Sequence, residues 1–200
     1  MGDITKKLLQ NLYLSGKSLT EIGETLGYSP HKVVYWMNKH HLSRRSRSDA
    51  QYTKLNPHGD PFKIKKPSSL KEALMFGLGL GIYWGEGNKS SPHTVRVSNT
   101  DPQLIRTFRE FLIQICNVKI SKIQYSLVCF NDINPDAAVE YWSKQLGVSS
   151  QKFGKIVQIP KQGKGTYKKK SQFGVCSITF GNIKLKSWIM QQISAFSPDS

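Results

Sequence analysis

Hydrophobic and polar positions keep a helical rhythm from the start of this chain to about Leu42, and from Leu70 onward helical and alternating segments mix. In the first stretch, SLTEIGETLGYSPHKVVYWM carries apolar residues at helical spacing on both sides of Gly27. Gly23 is small where two helices would cross and Gly27 supplies a turn. Ser29 and Pro30 cap and begin a second helix, to whose apolar face Val33 and Trp36 return. The spacing fits a helix-turn-helix. Later, LKEALMFGLGLGIYW is helix-length, TVRVSN alternates as a strand does, and DPQLIRTFREFLIQIC has helical spacing behind a capping Asp101. KIQYSLVCF, FGKIVQI and FGVCSITFG read as strands, and NPDAAVEYWSKQLG and NIKLKSWIMQQI as helices. Between the two regions, Ser43 to Ser69 has little apolar periodicity and many turn residues, which predicts a basic linker.

One apolar run weakens its own helix. FGLGLGIYWGEG, Phe76 to Gly87, sets Gly77, Gly81 and Gly85 four residues apart, a single stripe on a helix, and each costs about 1 kcal/mol relative to alanine. Close approach of another backbone along the stripe offsets such a cost. A phosphate-binding loop does not fit: GxGxxG needs a third glycine at Ile82 or Trp84, and the Lys-Ser/Thr ending is missing. No nucleotide cofactor is expected. Read from the residues alone, Glu86 at the end of this run is as well an ordinary solvent-facing carboxylate as a functional one.

Charge narrows the partner. The net charge is +16, with 29 Lys and Arg against 13 Asp and Glu, and points to a polyanion such as nucleic acid. No apolar run approaches the ~20 residues that span a bilayer, and MGDITKKLLQ has no signal-peptide core, so no membrane partner is expected. Cys116, Cys129 and Cys176 are odd in number and widely spaced, which fits neither a disulfide framework nor a zinc site. A cytoplasmic location follows, nucleoid-associated if the source is bacterial.

In sequence, Thr5 to Leu42 resembles the helix-turn-helix units of resolvases and transposon-related proteins. The second helix would then present His31, Lys32, Val34 and Tyr35 to base edges, followed by an arginine arm, Arg44, Arg45 and Arg47, along phosphates or in a minor groove. The bland reading is a protein-interaction hairpin with a solvated basic tail.

GLGIYWGEG, Gly79 to Gly87, resembles the LAGLIDADG motif of homing endonucleases, with Gly81 on its first glycine, Glu86 on its last acidic residue and Gly87 on its final glycine. The resemblance implies a motif helix packed against a twin along Gly77, Gly81 and Gly85, and Glu86 binding Mg²⁺ or Mn²⁺ beside the scissile phosphates. It also implies a lysine near the site, for which Lys155 and Lys89 qualify by position. Three departures stand out. Trp84 occupies the motif's first acidic position, and a helix interrupts the family's usual αββαββα order. A single motif is present, which makes the expected enzyme a homodimer.

The fold expected is α+β: a helix-turn-helix domain over residues 1–42, a linker over 43–69, and a LAGLIDADG-like domain with mixed helices and an antiparallel sheet over 70–196. Arg96, Lys122 and Lys152 are candidates for a DNA-facing sheet, and Lys168, Lys169 and Lys170 for a phosphate-contacting loop. Asp101, Asp132 and Asp136 read as cap and turn residues, and His40, His41 and His93 lack partners at metal spacing. The expected function is metal-dependent, site-specific cleavage of double-stranded DNA. The alternative is a transcriptional regulator that keeps the fold without the cleavage.

Overall fold

Each of the first helices begins where a hydroxyl can accept the backbone N–H groups its first turn leaves free. In the computed structural model, which describes residues 3–160 and 171–196, Thr5, Ser18 and Ser29 cap α1 (Lys6–Leu14), α2 (Leu19–Leu26) and α3 (Pro30–Lys39). Gly27 ends α2 in the left-handed region at φ +69°. A Cβ on Gly23 would lie 2.5 Å from the Tyr28 carbonyl oxygen, so the α2–α3 turn closes only over glycine. Ile4, Leu9, Ile22, Val33, Trp36 and Met37 make a small core among the three helices.

The expected linker is partly folded. Ser46 caps a further helix, α4 (Arg47–Leu55). Arg45 fixes its approach: the backbone N–H donates to the Tyr13 hydroxyl at 2.6 Å, and the guanidinium donates to the Tyr13 and Lys17 carbonyls and stacks 4.1 Å over the Tyr13 ring. No residue of α4 is buried, so its helix leaves no apolar rhythm in the sequence. The compact units are Met1–Pro61 and Phe62–Ser200, so the division falls well beyond Leu42.

In the second unit, Lys63 and Lys65 donate backbone N–H groups to the Cys116 and Ile115 carbonyls, so the chain is pinned before α5 (Leu70–Glu86) begins. Glu72 in the first turn of α5 accepts from Lys65 Nζ at 2.6 Å and from Ser68, bonds that hold its carboxyl down at about 2. β1 (Thr94–Asn99) and α6 (Pro102–Glu110) follow, and α6 runs on into a π-helical turn, Phe111–Ile115, that buries Phe111, Leu112 and Ile115 together. β2 (Gln124–Phe130), α7 (Pro135–Leu146), β3 (Phe153–Ile159), β4 (Val175–Gly181) and α8 (Ile183–Ser194) complete an α+β unit.

The sheet order is β1-β4-β2-β3. β4 lies antiparallel to both β1 and β2, but β2 and β3 are parallel. The antiparallel sheet expected from the sequence is therefore corrected to a mixed one. Its cause is α7, which carries the chain back to the starting end of the sheet, where a hairpin would have reversed it. Helices cover one face, where Tyr83, Phe108, Trp142, Leu127 and Ile178 share the core. No helix among the described residues is long and apolar enough to cross a membrane.

Candidate functional site

α5 is apolar all round, and its two faces meet different surroundings. Gly79, Leu80 and Tyr83 turn into the core, where a Cβ on Gly79 would stand 2.1 Å from Phe111 Cγ. The close approach is thus made at a glycine outside the four-residue stripe. On the opposite face Leu74, Leu78 and Trp84 are more than half exposed, and a Cβ at Gly77, Gly81 or Gly85 meets nothing within 4 Å among the described residues. An open groove of about 590 Å³ runs along this face, lined by Gly77, Gly81, Gly85 and Glu86.

The end of α5 gathers charge. Glu86 is exposed on its last turn, where the negative end of the helix dipole disfavours a carboxylate. Gly87 bridges to Val97 and anchors the turn to β1. Lys89 folds back and donates to the Trp84 carbonyl at 2.5 Å, covering one of the free carbonyls of the helix end. Beneath it, the ammonium of Lys186, a residue only 4% exposed, donates to the Tyr83 hydroxyl at 2.6 Å and to the Asn88 carbonyl at 2.5 Å. Burial, reinforced by Lys89, pulls the Lys186 pKa down, and burial pushes the Tyr83 phenol up to about 12.

Sequence reasoning missed Lys186 because KLK reads as a solvated helix face. The signal was there: Lys186 stands three and seven residues before Ile189 and Ile193, on the buried stripe of α8. A buried ammonium held by neutral oxygens destabilises the fold. Lys186→Met is expected to raise the stability of the unit by about 1–2 kcal/mol, because Tyr83 keeps its own bond to the Asn88 carbonyl at 2.7 Å and no polar atom is orphaned. Since folding lowers this pKa, the unfolded chain holds the extra proton just below the ordinary lysine value, and wild-type stability rises with pH there. Urea titrations of both proteins between pH 8 and 10.5 should show that rise flattened in the variant.

Other expected site residues separate. Lys155 lies on β3, three strands and roughly 14 Å from β1 by strand spacing alone, and the end of α5 flanks the opposite edge of β1. Within one chain the strand order, hidden from the sequence, puts it at the far edge of the sheet. Arg96 is exposed on β1, with its Nε donating to Thr179 Oγ1 at 3.2 Å, and shares the helix-free face of the sheet with Lys155. Lys122 and Lys152 sit in short 3₁₀ turns that precede β2 and β3, off the sheet itself. Asp101 caps α6, as its position suggested.

In Met1–Pro61, His31 and Tyr35 are exposed one turn apart on α3 and Val34 is half-buried beside them. Lys32 lies over the Tyr28 ring at 4.6 Å. Arg44 and Arg47 are exposed, whereas Arg45 is committed to Tyr13 and Lys17 and does not belong to a free arm. Lys168, Lys169 and Lys170 lie outside the described residues. No family model, curated protein or solved structure matches this chain.

Proposed function

We propose that this chain is a metal-dependent, site-specific endonuclease acting on double-stranded DNA as a homodimer. In this reading Phe62–Ser200 is a LAGLIDADG-like half-enzyme, and α2 and α3 form a helix-turn-helix that extends recognition. The observation that carries it is the exposed carboxylate of Glu86 at the end of a helix whose glycine-lined face is open. A second copy seated on that face would bring two Glu86 side chains together, a repulsion that a divalent cation relieves.

Among the described residues no cluster of three His, Cys, Asp or Glu side chains could hold a metal within one chain. An exposed carboxylate still suits Mg²⁺ or Mn²⁺, hard cations that take their remaining ligands from phosphate and water oxygens. Such an ion supplies Lewis acidity to the phosphate and a more acidic water. The chain's own part is to aim Glu86 through the Gly87–Val97 bridge and to place the positive charge of Lys89 beside the phosphates. Arg96 holds DNA on the sheet, and His31 and Tyr35 read bases from α3. The lone carboxylate favours a second reading, a DNA-binding regulator without cleavage.

The test is incubation of the full chain with DNA spanning its own flanking locus, with Mg²⁺ or EDTA, alongside a mobility-shift assay. Breaks at one position that EDTA abolishes support the endonuclease. Shifted bands without breaks, in Mg²⁺ or Mn²⁺, support the regulator, and the absence of both overturns the DNA reading.

A further inference from the structure

The basic stretch expected to be a linker is used up from both ends. On the side of the first unit, Arg45 ties the start of α4 to Tyr13 and Lys17, and a Cβ on Gly16 would lie 3.3 Å from Thr53 Cγ2, so α4 packs on the turn after α1. Beyond α4, the Gly59 N–H donates to the Asn56 carbonyl at 3.1 Å and the Tyr52 hydroxyl donates to Asp60 Oδ1 at 2.8 Å. In the second unit, Phe62 and Ile64 pack against the core, while the Lys63 and Lys65 N–H groups reach the Cys116 and Ile115 carbonyls at 2.9 and 2.8 Å. Glu72 then holds Lys65 and Ser68. Between Asp60 and Phe62 stands only Pro61. Its ring locks its own φ and keeps Asp60 extended, so rotation at the join is left to ψ of Pro61 and φ of Phe62.

We infer that this join is a spacer of fixed length, so that the duplex positions read from α3 and those held by Phe62–Ser200 must lie at one separation. This rests on the proposed DNA binding and adds a constraint on the target. From Asp60 to Lys63 the chain advances three residues, about 11 Å at full extension. A free coil as long as residues 43–69 would span roughly 30 Å on average and accept many separations. Two modules on one chain reinforce each other only while both can be seated at once, so a short join turns spacing into specificity. Duplex geometry sharpens the demand. Five base pairs move a subsite by about 17 Å and turn it to the opposite face of the helix.

The experiment selects the preferred duplex of the full chain from a randomised pool and maps the positions whose preference His31→Ala and Tyr35→Ala relax. Five base pairs are then inserted between those positions and the rest of the site. Wild-type affinity is expected to fall at least about tenfold. A variant with twelve Gly and Ser residues inserted after Pro61, a span of about 19 Å, should bind the spaced and unspaced duplexes within about threefold of each other. Its urea midpoint should match the wild type, because the insertion lies outside both cores. Wild-type binding that ignores the five base pairs overturns the fixed spacing and leaves DNA binding standing. A loss that the lengthened variant shares overturns it too, since the preference then lies in the DNA between the subsites. A selected duplex whose preference neither α3 substitution moves overturns the spacing and the reader together, and failure to select any duplex overturns the DNA reading as well.

Discussion

Glu86→Gln is expected to lower Mg²⁺-dependent cutting more than about a hundredfold while DNA affinity stays within about twofold. Losing an outer-shell partner of a metal ligand already costs ten- to a hundredfold, and here the ligand itself goes. The fold has no stake in this carboxylate. Glu86 is exposed and belongs to neither ion pair found among the described residues, Lys65–Glu72 and Arg109–Glu110. Its position is locally adverse, since a negative charge on the last turn of α5 opposes the helix dipole by about 0.3–1 kcal/mol. The glutamine variant should therefore unfold at the same urea concentration as the wild type or slightly higher. Cutting rates, equilibrium binding and urea midpoints measured on the same preparation separate the cases. A carboxylate kept only for folding would show the reverse, a lowered midpoint with cutting intact.

What the sequence made legible follows from which forces are local. α7 announces itself through Asn134 and Pro135 at its start and Gly147 in the left-handed region at its end, and β1 through strict alternation of Val95 and Val97 with polar neighbours. Strand order is not local. TVRVSN and FGKIVQI look alike as strands, yet they form opposite edges of the sheet, and only that order separates Lys155 from Glu86. α4 stayed hidden for a related reason, because it is held by a cap and by Arg45 reaching back to Tyr13, with no buried face of its own. At the candidate site, Glu86 and the glycine spacing were readable from position alone. Lys186 was not, since a lysine inside KLK is buried only because Tyr83 and Asn88 from a distant segment close over it.

The glycines of α5 supply the second large effect, because two of them two residues apart should respond to the same substitution with opposite signs. Gly79→Ala places a Cβ 2.1 Å from Cγ and 2.7 Å from Cβ of Phe111, a fully buried ring too close to its own backbone to swing aside. Overpacking of that kind costs about 3 kcal/mol, against which the gain in helix propensity returns about 1 kcal/mol, leaving a net loss near 2 kcal/mol. Gly81→Ala meets nothing within 4 Å among the described residues and keeps only the gain, so the same unit should become up to about 1 kcal/mol more stable. If the open stripe is where a second copy packs, the added methyl group is felt there instead, and 1–3 kcal/mol of overpacking weakens self-association about five- to 150-fold. Urea unfolding reads the first pair of signs and sedimentation velocity with and without duplex DNA reads the second. Gly81→Ala that stabilises the chain and leaves its dimer intact would remove the packing reason for the glycine stripe. The same change that stabilises the chain but dissociates the dimer and stops double-strand cutting ties the helix weakened by its glycines to the pairing of two Glu86 carboxylates.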